Sequence, residues 1–341
     1  MSGFPTETPP LRVGLVGCGL VGRKRADALG RDTLVGCFDL DAGAAEALAR
    51  QFGGRACSSI DELLAMELDA AVVAVTHDAL AESACGALRS GAHVLVEKPA
   101  GIGVADVARI VEAAEAARRR VKVGFNHRFH PAIARAISEA RSGRFGPILH
   151  LRARYGHGGR MGYEHEWRAH RAVSGGGELV DQGMHLFDLS YALLGALPLH
   201  SALLRTAFWP IEVEDNAVVI LGDRGTGPWA LFHVSWTEWK NLFSLEIYCT
   251  TGKLKVDGLT GSYGPQRLTI YAMGPELGVP DVEELTFASE DESWSREWLQ
   301  FSGAISSADG RPFAGDLESA RYGWTCIESA YARSGSGKIH A

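Results

Sequence analysis

The stretch Leu11 to Gly22, LRVGLVGCGLVG, asks for a strand, a tight glycine turn and a helix start in that order. Val13, Leu15 and Val16 supply a short buried strand, and Gly17-Cys18-Gly19-Leu20-Val21-Gly22 fits G-x-G-x-x-G. Gly17 permits the turn. Gly19 has no side chain to hold a pyrophosphate off the backbone, and Gly22 lets the following helix press on the sheet. The amides of Leu20 and Val21, at the positive end of that helix, then face the phosphates. A chain with 41 glycines in 341 residues can also meet this pattern by chance, so its neighbours decide the matter.

Val35-Gly36-Cys37-Phe38 reads as a second strand ending in Asp39, about twenty residues past the glycines, where a carboxylate can accept both ribose hydroxyls of an adenosine. The alternative is a solvated loop carboxylate. A carboxylate here repels the 2′-phosphate of NADP, so NAD is the expected cofactor and NADP the less favoured one. Arg23, Lys24 and Arg25, on the first helical turn, either flank the pyrophosphate or face water.

After Asp39, strand and helix patterns alternate. Ala42 to Phe52 and Asp61 to Met66 read as helices, Ala70 to Val75 as a fully buried strand, Leu80 to Ser90 as a helix and His93 to Val96 as a strand. Asp106 to Arg120 is a helix and Val121 to Phe125 a further strand. This alternation predicts a doubly wound parallel sheet, a Rossmann-type α/β domain over residues 11–126. From Ile148 onward the apolar positions alternate instead, as in Ala217 to Leu221, Leu231 to Trp236, Leu245 to Tyr248 and Lys253 to Val256, with a hairpin turn at Thr251-Gly252. Pro131 to Arg141, Glu297 to Ser306 and Leu317 to Ala332 read as helices. The expectation for 127–341 is therefore an α+β domain built on a mostly antiparallel sheet; its large open face and its use for substrate binding and oligomerisation are what the family resemblance given below implies.

A length of 341 residues suffices for two cores, and 46% hydrophobic with 22% charged residues is ordinary for a globular chain. A formal net charge of −7 argues against a nucleic-acid or membrane-surface partner. Cys18, Cys37, Cys57, Cys85, Cys249 and Cys326 form no C-x-x-C pair, and they read as buried thiols in a reducing compartment rather than as a metal site. Met1 to Pro10 is polar and proline-bearing, a flexible tail rather than a signal peptide, and no apolar run approaches a membrane span. These features predict a cytoplasmic protein.

Glu97-Lys98-Pro99 follows the strand at His93 to Val96, and ligands of open parallel sheets bind outside the carboxyl ends of the strands. Glu97 and Lys98 are therefore candidate cofactor contacts, and a desolvated Lys98 can serve as acid or base; the alternative is a surface lysine beside a turn. In the run from Gly175 to His185, GGGELVDQGMH, a helix starting near Gly177 puts Asp181 and His185 four residues apart on one face. A carboxylate beside an imidazole can bind a polyol and move its hydroxyl proton, and can equally be an ordinary helix ion pair. Asp188, one turn on, reads as a structural partner or cap. No third ligand of convincing spacing makes the pair a metal site.

The ordered set GCGLVG, LVEKP, GFNHRF, EWR and GGGELVDQGMHLFDL resembles the glucose-fructose oxidoreductase, inositol dehydrogenase and MocA family, through nearly the whole chain. The resemblance implies NAD(P) chemistry on a secondary alcohol of a sugar, sugar phosphate, nucleotide sugar or cyclitol. It also implies that Lys98, Asp181 and His185 match the family's catalytic set, the histidine taking the hydroxyl proton while lysine and aspartate hold and polarise the substrate. Asn126 and Arg128 match a second substrate-side motif, and Trp167 and Arg168 a substrate-side loop. After the third expected strand many relatives carry Thr-Pro-Asn, where this chain has Val75-Thr76-His77, so Thr76 alone transfers as a cofactor contact and His77 is an open case.

Arg152, Arg154, Arg160, Arg168 and Arg171, with His157, His165 and His170, make the stretch from His150 to Arg171 locally basic. Arginine forks suit an anionic substrate, and they suit sheet-surface or subunit contacts as well. Gly156, Gly158, Gly159 and Gly162 mark a loop able to close over a sugar. Trp229, Trp236 and Trp239 are unfavourable to expose, which points to a homodimer or homotetramer formed through the sheet. Two other readings remain open: a cofactor-binding regulator without chemistry, and a glycosidase or lyase that works through retained NAD.

Overall fold

The computed structural model describes residues 9–287, 290–307 and 317–334; most of the expected N-terminal tail and the last residues of the expected second domain lie outside them. The chain divides into two compact units. The first comprises residues up to Ala100, Asp106–Gly124 and Trp294–Leu317, and the second comprises Gly101–Ala105, Phe125–Ser293 and the chain from Glu318 onward.

In the first unit the chain runs β1 (Arg12–Val16), α1 (Leu20–Asp27), β2 (Thr33–Phe38), α2 (Ala42–Phe52), β3 (Arg55–Ala56), α3 (Ile60–Leu64), β4 (Ala70–Val73), α4 (His77–Arg89), β5 (His93–Glu97), α5 (Val104–Ala117) and β6 (Val121–Gly124). The strands form one parallel sheet of order β3-β2-β1-β4-β5-β6, the doubly wound dinucleotide order whose direction reverses between β1 and β4. The central strand β4 is continuous apolar sequence, with Ala70 to Val73 all buried, as in a strand covered on both faces. Helix α2 starts where the Asp41 carboxylate accepts the amides of Gly43 and Ala44. Helix α4 starts three residues earlier than its apolar pattern indicates, so His77 is its first residue and is buried, not a loop histidine.

The second half of the chain contributes one element to this unit, a departure from the contiguous boundary expected at residue 126. Helix Ser293–Ser306, labelled α10 below, sends Trp298 and Phe301 into the cluster formed by Leu11, Val13, Leu15, Ala26 and Leu29. Burying such rings contributes on the order of 2–3 kcal/mol each. The Trp298 indole donates to Asp32 Oδ2 at 2.9 Å, and the other Asp32 oxygen accepts the Leu11 amide. A buried ion network adds to this anchorage. Arg25, 2% exposed, pairs with Glu97 at 2.5 Å and with Glu297 at 2.6 Å, while Lys122 lies 3.7 Å from Glu297. The expectation that Arg25 flanks phosphate or faces water is therefore corrected: it neutralises two buried carboxylates. Removing one member of such a network costs on the order of 3–5 kcal/mol, because its partner is left charged and buried.

The second unit follows α6 (Pro131–Arg141), β7 (Ile148–Gly156), α7 (Arg171–Ser174), α8 (Glu178–Asp181), α9 (Gly183–Leu194), β8 (Leu199–Arg205), β9 (Asn216–Leu221), β10 (Trp229–Ser235), β11 (Leu242–Cys249), β12 (Gly252–Asp257), β13 (Arg267–Ala272) and β14 (Asp281–Thr286). The chain then passes through α10 and returns in α11 (Leu317–Ser334). The sheet order is β14-β13-β12-β11-β7-β10-β9-β8, antiparallel except for the parallel pair β7 and β10. One face is apolar, with Leu151, Ala153, Phe232, Val234 and Leu245 buried beneath the helices. The other carries His150 stacked between Trp229 and Tyr248 at 4.4 and 4.3 Å, and Lys253 over Tyr248 and Tyr271. Trp239 and Trp229 are partly or largely exposed, but Trp236 is fully buried, so it drops out of the expected exposed set. The β11–β12 turn falls at Thr250 and Thr251, with Gly252 already paired to Cys249.

His93 supplies a test of the first unit's packing. Its Nδ1 accepts the Arg120 amide at 2.9 Å, and burial, with Arg119 and Arg120 nearby, lowers its pKa from an ordinary 6.5 to about 4. The unfolded chain then binds a proton more readily than the folded one, so stability falls as pH drops from about 6.5 towards 4. Urea unfolding at a series of pH values will show this loss, and His93→Gln will flatten that part of the profile.

Candidate active site

In the first unit the loop after β1 is shaped by backbone proximity. Gly17 has φ +96°, its amide donates to the Phe38 carbonyl at 2.8 Å, and a β-carbon on it would stand 2.3 Å from the Ala74 carbonyl oxygen. A β-carbon on Gly22 would stand 2.0 Å from the Gly17 oxygen. At Gly19 the situation is opposite: nothing lies within 4 Å of the position a β-carbon would take. Gly19 caps α1, whose first residues, Leu20 and Val21, present amides with no carbonyl one turn earlier to receive them. Open space, two such amides and a positive helix end together fit a pyrophosphate.

Asp39 stands just past the end of β2, and its two oxygens accept the Cys18 amide at 2.6 Å and the Asp41 amide at 2.9 Å. The carboxylate is thereby tied to the same loop that would hold the phosphates. Thr76 occupies the N-cap of α4 after β4, its hydroxyl donating to Asp78 Oδ1 at 2.7 Å. Glu97 closes β5 with its carboxylate held by Arg25, and half-buried Lys98 follows across a cis bond to Pro99. The glycine loop, Asp39, Thr76 and Lys98 all lie at the carboxyl ends of parallel strands, where this sheet type takes its ligands.

The second unit holds a polar cluster of its own. Two glycines prepare it: a β-carbon on Gly176 would meet the Tyr331 hydroxyl at 1.9 Å, and one on Gly177 the Glu214 carbonyl at 1.9 Å. The buried Glu214 carboxylate accepts the amides of Gly177 and Leu179 and the Tyr331 hydroxyl, and burial raises its pKa. Asp181 ends α8 and His185 lies in the first turn of α9, so the single helix expected from Gly177 is two helices joined at Gln182. Glycine at 183 weakens the helix there, and the Gln182 side chain turns to the Tyr263 hydroxyl at 2.9 Å. Asp181 Oδ2 accepts Arg168 Nε at 3.2 Å, and that guanidinium lies 4.3 Å over the Trp167 ring. His185 stacks on His127, ring centroids 3.6 Å apart.

Asn126, His127 and Arg128 form one short turn with three destinations. Asn126 Nδ2 donates to Ser293 Oγ at 2.9 Å. Arg128 grips Asp188 through Nε at 2.7 Å and Nη2 at 2.6 Å, and Asp188 also accepts the Ser319 hydroxyl, so Arg128 clamps α9. Tyr155, Tyr163 and Tyr263 gather around Glu178 and Asp181. Burial above all, with those carboxylates adding to it, pushes the Tyr155 and Tyr163 phenols well above their ordinary range, and Tyr263 up to about 12 although its bond from Gln182 works the other way. Burial lowers the His157 pKa.

Tyr155, Gln182, Tyr263 and His127 carry no individual signature in the sequence. Tyr155 continues the core-facing alternation of Leu151 and Ala153, and His127 and Gln182 stand inside quoted motifs; Tyr263, in a short turn, carries no signal. The basic stretch disperses: Arg152 pairs with Glu246, Arg160 with Glu166 and Arg168 with Asp181, while the Arg171 guanidinium lies over the Tyr331 ring. Among the described residues no group of three or more His, Cys, Asp or Glu side chains could hold a metal ion, and no helix is long and apolar enough to cross a membrane.

Comparison with known proteins gives two profile matches: the oxidoreductase family with NAD-binding Rossmann fold over residues 11–125, and the GFO/IDH/MocA C-terminal domain over residues 133–255. A 1,5-anhydro-D-fructose reductase of Ensifer adhaerens is 32% identical over 257 residues, 71% of this chain and 74% of that protein. A glucose-6-phosphate 3-dehydrogenase of Bacillus subtilis is 28% identical over 187 residues, a match that spans only 53% of each. Levoglucosan dehydrogenase, solved with NADH and levoglucosan, superposes with a TM-score of 0.85 over 96% of this chain and 98% of its own, at 19% identity, a likeness of fold.

The glycine geometry predicts that Gly17→Ala and Gly22→Ala each weaken NAD binding by about 10-fold or more, because the loop must shift off its backbone neighbours. Calorimetric titration of NAD checks this, and retention of full affinity in both variants would contradict it.

Proposed function

Since the chain belongs to the GFO/IDH/MocA family of NAD-binding oxidoreductases, we propose that it oxidises a secondary hydroxyl of a sugar or cyclitol, or reduces the matching carbonyl. The observation that supports this reading most directly is the glycine loop, closed by backbone at Gly17 and Gly22 and open at Gly19. NAD, when bound, supplies the hydride acceptor. Gly17, Gly19, Leu20, Val21 and Gly22 would hold its pyrophosphate, Asp39 its adenosine ribose, and Thr76 and Lys98 would complete the binding set. Asp39, already committed to the loop amides, disfavours an additional phosphate on that ribose.

In this reading His185 takes the substrate hydroxyl proton, and Lys98 and Asp181 hold and polarise the oxygen that loses it. Asp181 keeps a defined carboxylate geometry because Arg168 binds it and Trp167 backs Arg168. Asn126, its amide held by Ser293, would add a substrate-side contact, and Arg128 holds α9. An uncharged polyol fits best. The carboxylates of Glu178 and Asp181, and three tyrosines whose phenols they help keep protonated, offer hydroxyl partners, while the nearby arginine is already paired. Six buried free thiols support a cytoplasmic setting, and the outer sheet face with Trp229, His150 and Tyr248 supports a homodimer or homotetramer. Light scattering that returns a monomer at micromolar concentration would overturn the latter.

The test is NAD reduction across free sugars, inositols, sugar phosphates and nucleotide sugars, with NADP run in parallel. Turnover of a neutral polyol with NAD is expected, falling about 100-fold or more in Lys98→Ala and in His185→Asn while NAD still binds. Tight NAD binding with no reduction across the panel, or full activity in His185→Asn, would overturn the reading; selective turnover of phosphorylated sugars would reassign the substrate class.

A further inference from the structure

His127 belongs to no role assigned above, yet it is the nearest aromatic ring to His185. The two imidazoles lie 3.6 Å apart at 25°, and both are buried, 4% and 6% exposed. Face-to-face rings cannot hydrogen-bond to each other, so their coupling is electrostatic and through van der Waals contact. Two like charges at that separation, shielded from water, repel strongly.

The His127 tautomer follows from a directional chain. Ser293 Oγ donates to Asp291 Oδ1 at 2.5 Å and therefore accepts from Asn126 Nδ2. That turns Asn126 Oδ1 towards His127 Nδ1, 3.1 Å away, which must carry the proton. The ring is thus held by its own turn, and the turn is locked to α9 a second time by Arg128 on Asp188, one helical turn beyond His185. Other titratable groups lie around the pair: His130, edge-on to His127 and itself 3.7 Å from Asp291, and Tyr155 from β7, near both rings, which in turn feels the carboxylates of Glu178 and Asp181 from α8, the latter paired with Arg168. None of these lies between the two stacked faces.

We infer that His127 is a positioning residue for the proposed reaction: its neutral ring is the platform for His185, and the stacked pair accommodates one proton at a time. A proton taken by His185 from substrate is then the only charge the pair carries. A proton already on His127 would block that uptake. This inference rests on the proposed function only where it concerns turnover, because the pairing itself is measurable in the free protein.

The experiment follows histidine ring signals by NMR across pH in the wild-type protein, in His127→Phe and in His185→Phe, alongside the pH profile of kcat/KM. In the wild type the pair should take up its second proton about 100-fold more weakly than either histidine binds its proton in the variant where the partner is phenylalanine. The acid limb of kcat/KM should follow the first protonation of the pair, and in His127→Phe it should follow the His185 signal alone. Two independent wild-type protonations within about one pH unit of each other would overturn the inference, and that measurement stands even if neither variant folds. Coupled titration in a protein that oxidises no polyol would retain the inference about the pair and remove the proposed reaction.

Discussion

A β-carbon at Gly17 would lie 2.3 Å from the Ala74 carbonyl oxygen, and one at Gly22 would lie 2.0 Å from the oxygen of Gly17 itself. The loop after β1 can therefore turn this tightly only with glycine at both places, and the rest of the first unit is arranged around that turn. Its closeness to the end of β4 lies at the point where the sheet order reverses. It aims the first amides of α1 at open space above Gly19, and it brings the Cys18 amide onto Asp39, joining the two groups that would read phosphate and ribose. Arg25, further along the same helix, then ties α1 to β5 and α10 through Glu97 and Glu297, directly before Lys98.

The second unit uses a parallel device with carboxylates in place of a tight turn. Glu214 collects the amides at the start of α8, and Asp188 collects Arg128 and Ser319 on α9. Neither group needs to touch a substrate. Between them they fix where α8 ends and α9 begins, and so where Asp181 and His185 point. Buried charge in such positions is stabilising only while its partners remain, which makes these residues sensitive to single substitutions although they are remote from the chemistry.

Local signals made some elements legible in the sequence to the residue. Helices α2 and α6 run over Ala42–Phe52 and Pro131–Arg141 as their patterns indicate, because a capping aspartate opens one and a proline at the first turn opens the other. The glycine fingerprint was legible for the same reason: its meaning lies within twelve residues. What the sequence concealed depends on long-range partners. Arg25 read as a solvent or phosphate residue because Glu297, which buries it, lies 272 residues away. The clamp of Arg128 on α9 was invisible because its partner Asp188 lies 60 residues on. His77 was hidden because polar residues opening a helix interrupt its apolar period, and Asp181 and His185 shared one helix on paper because nothing in their spacing shows the break at Gln182.

The reaction proposed for this chain moves hydride between a carbinol carbon and a nicotinamide. The most direct measurement is mass spectrometry of the reduced cofactor after incubation with NAD and polyols deuterated at each carbinol carbon. One deuterium in the NADH, delivered from a single carbon of a single polyol class and absent in His185→Asn, is the predicted result. Reduced cofactor without deuterium, or polyol converted to product while the cofactor gains no hydride, would contradict it.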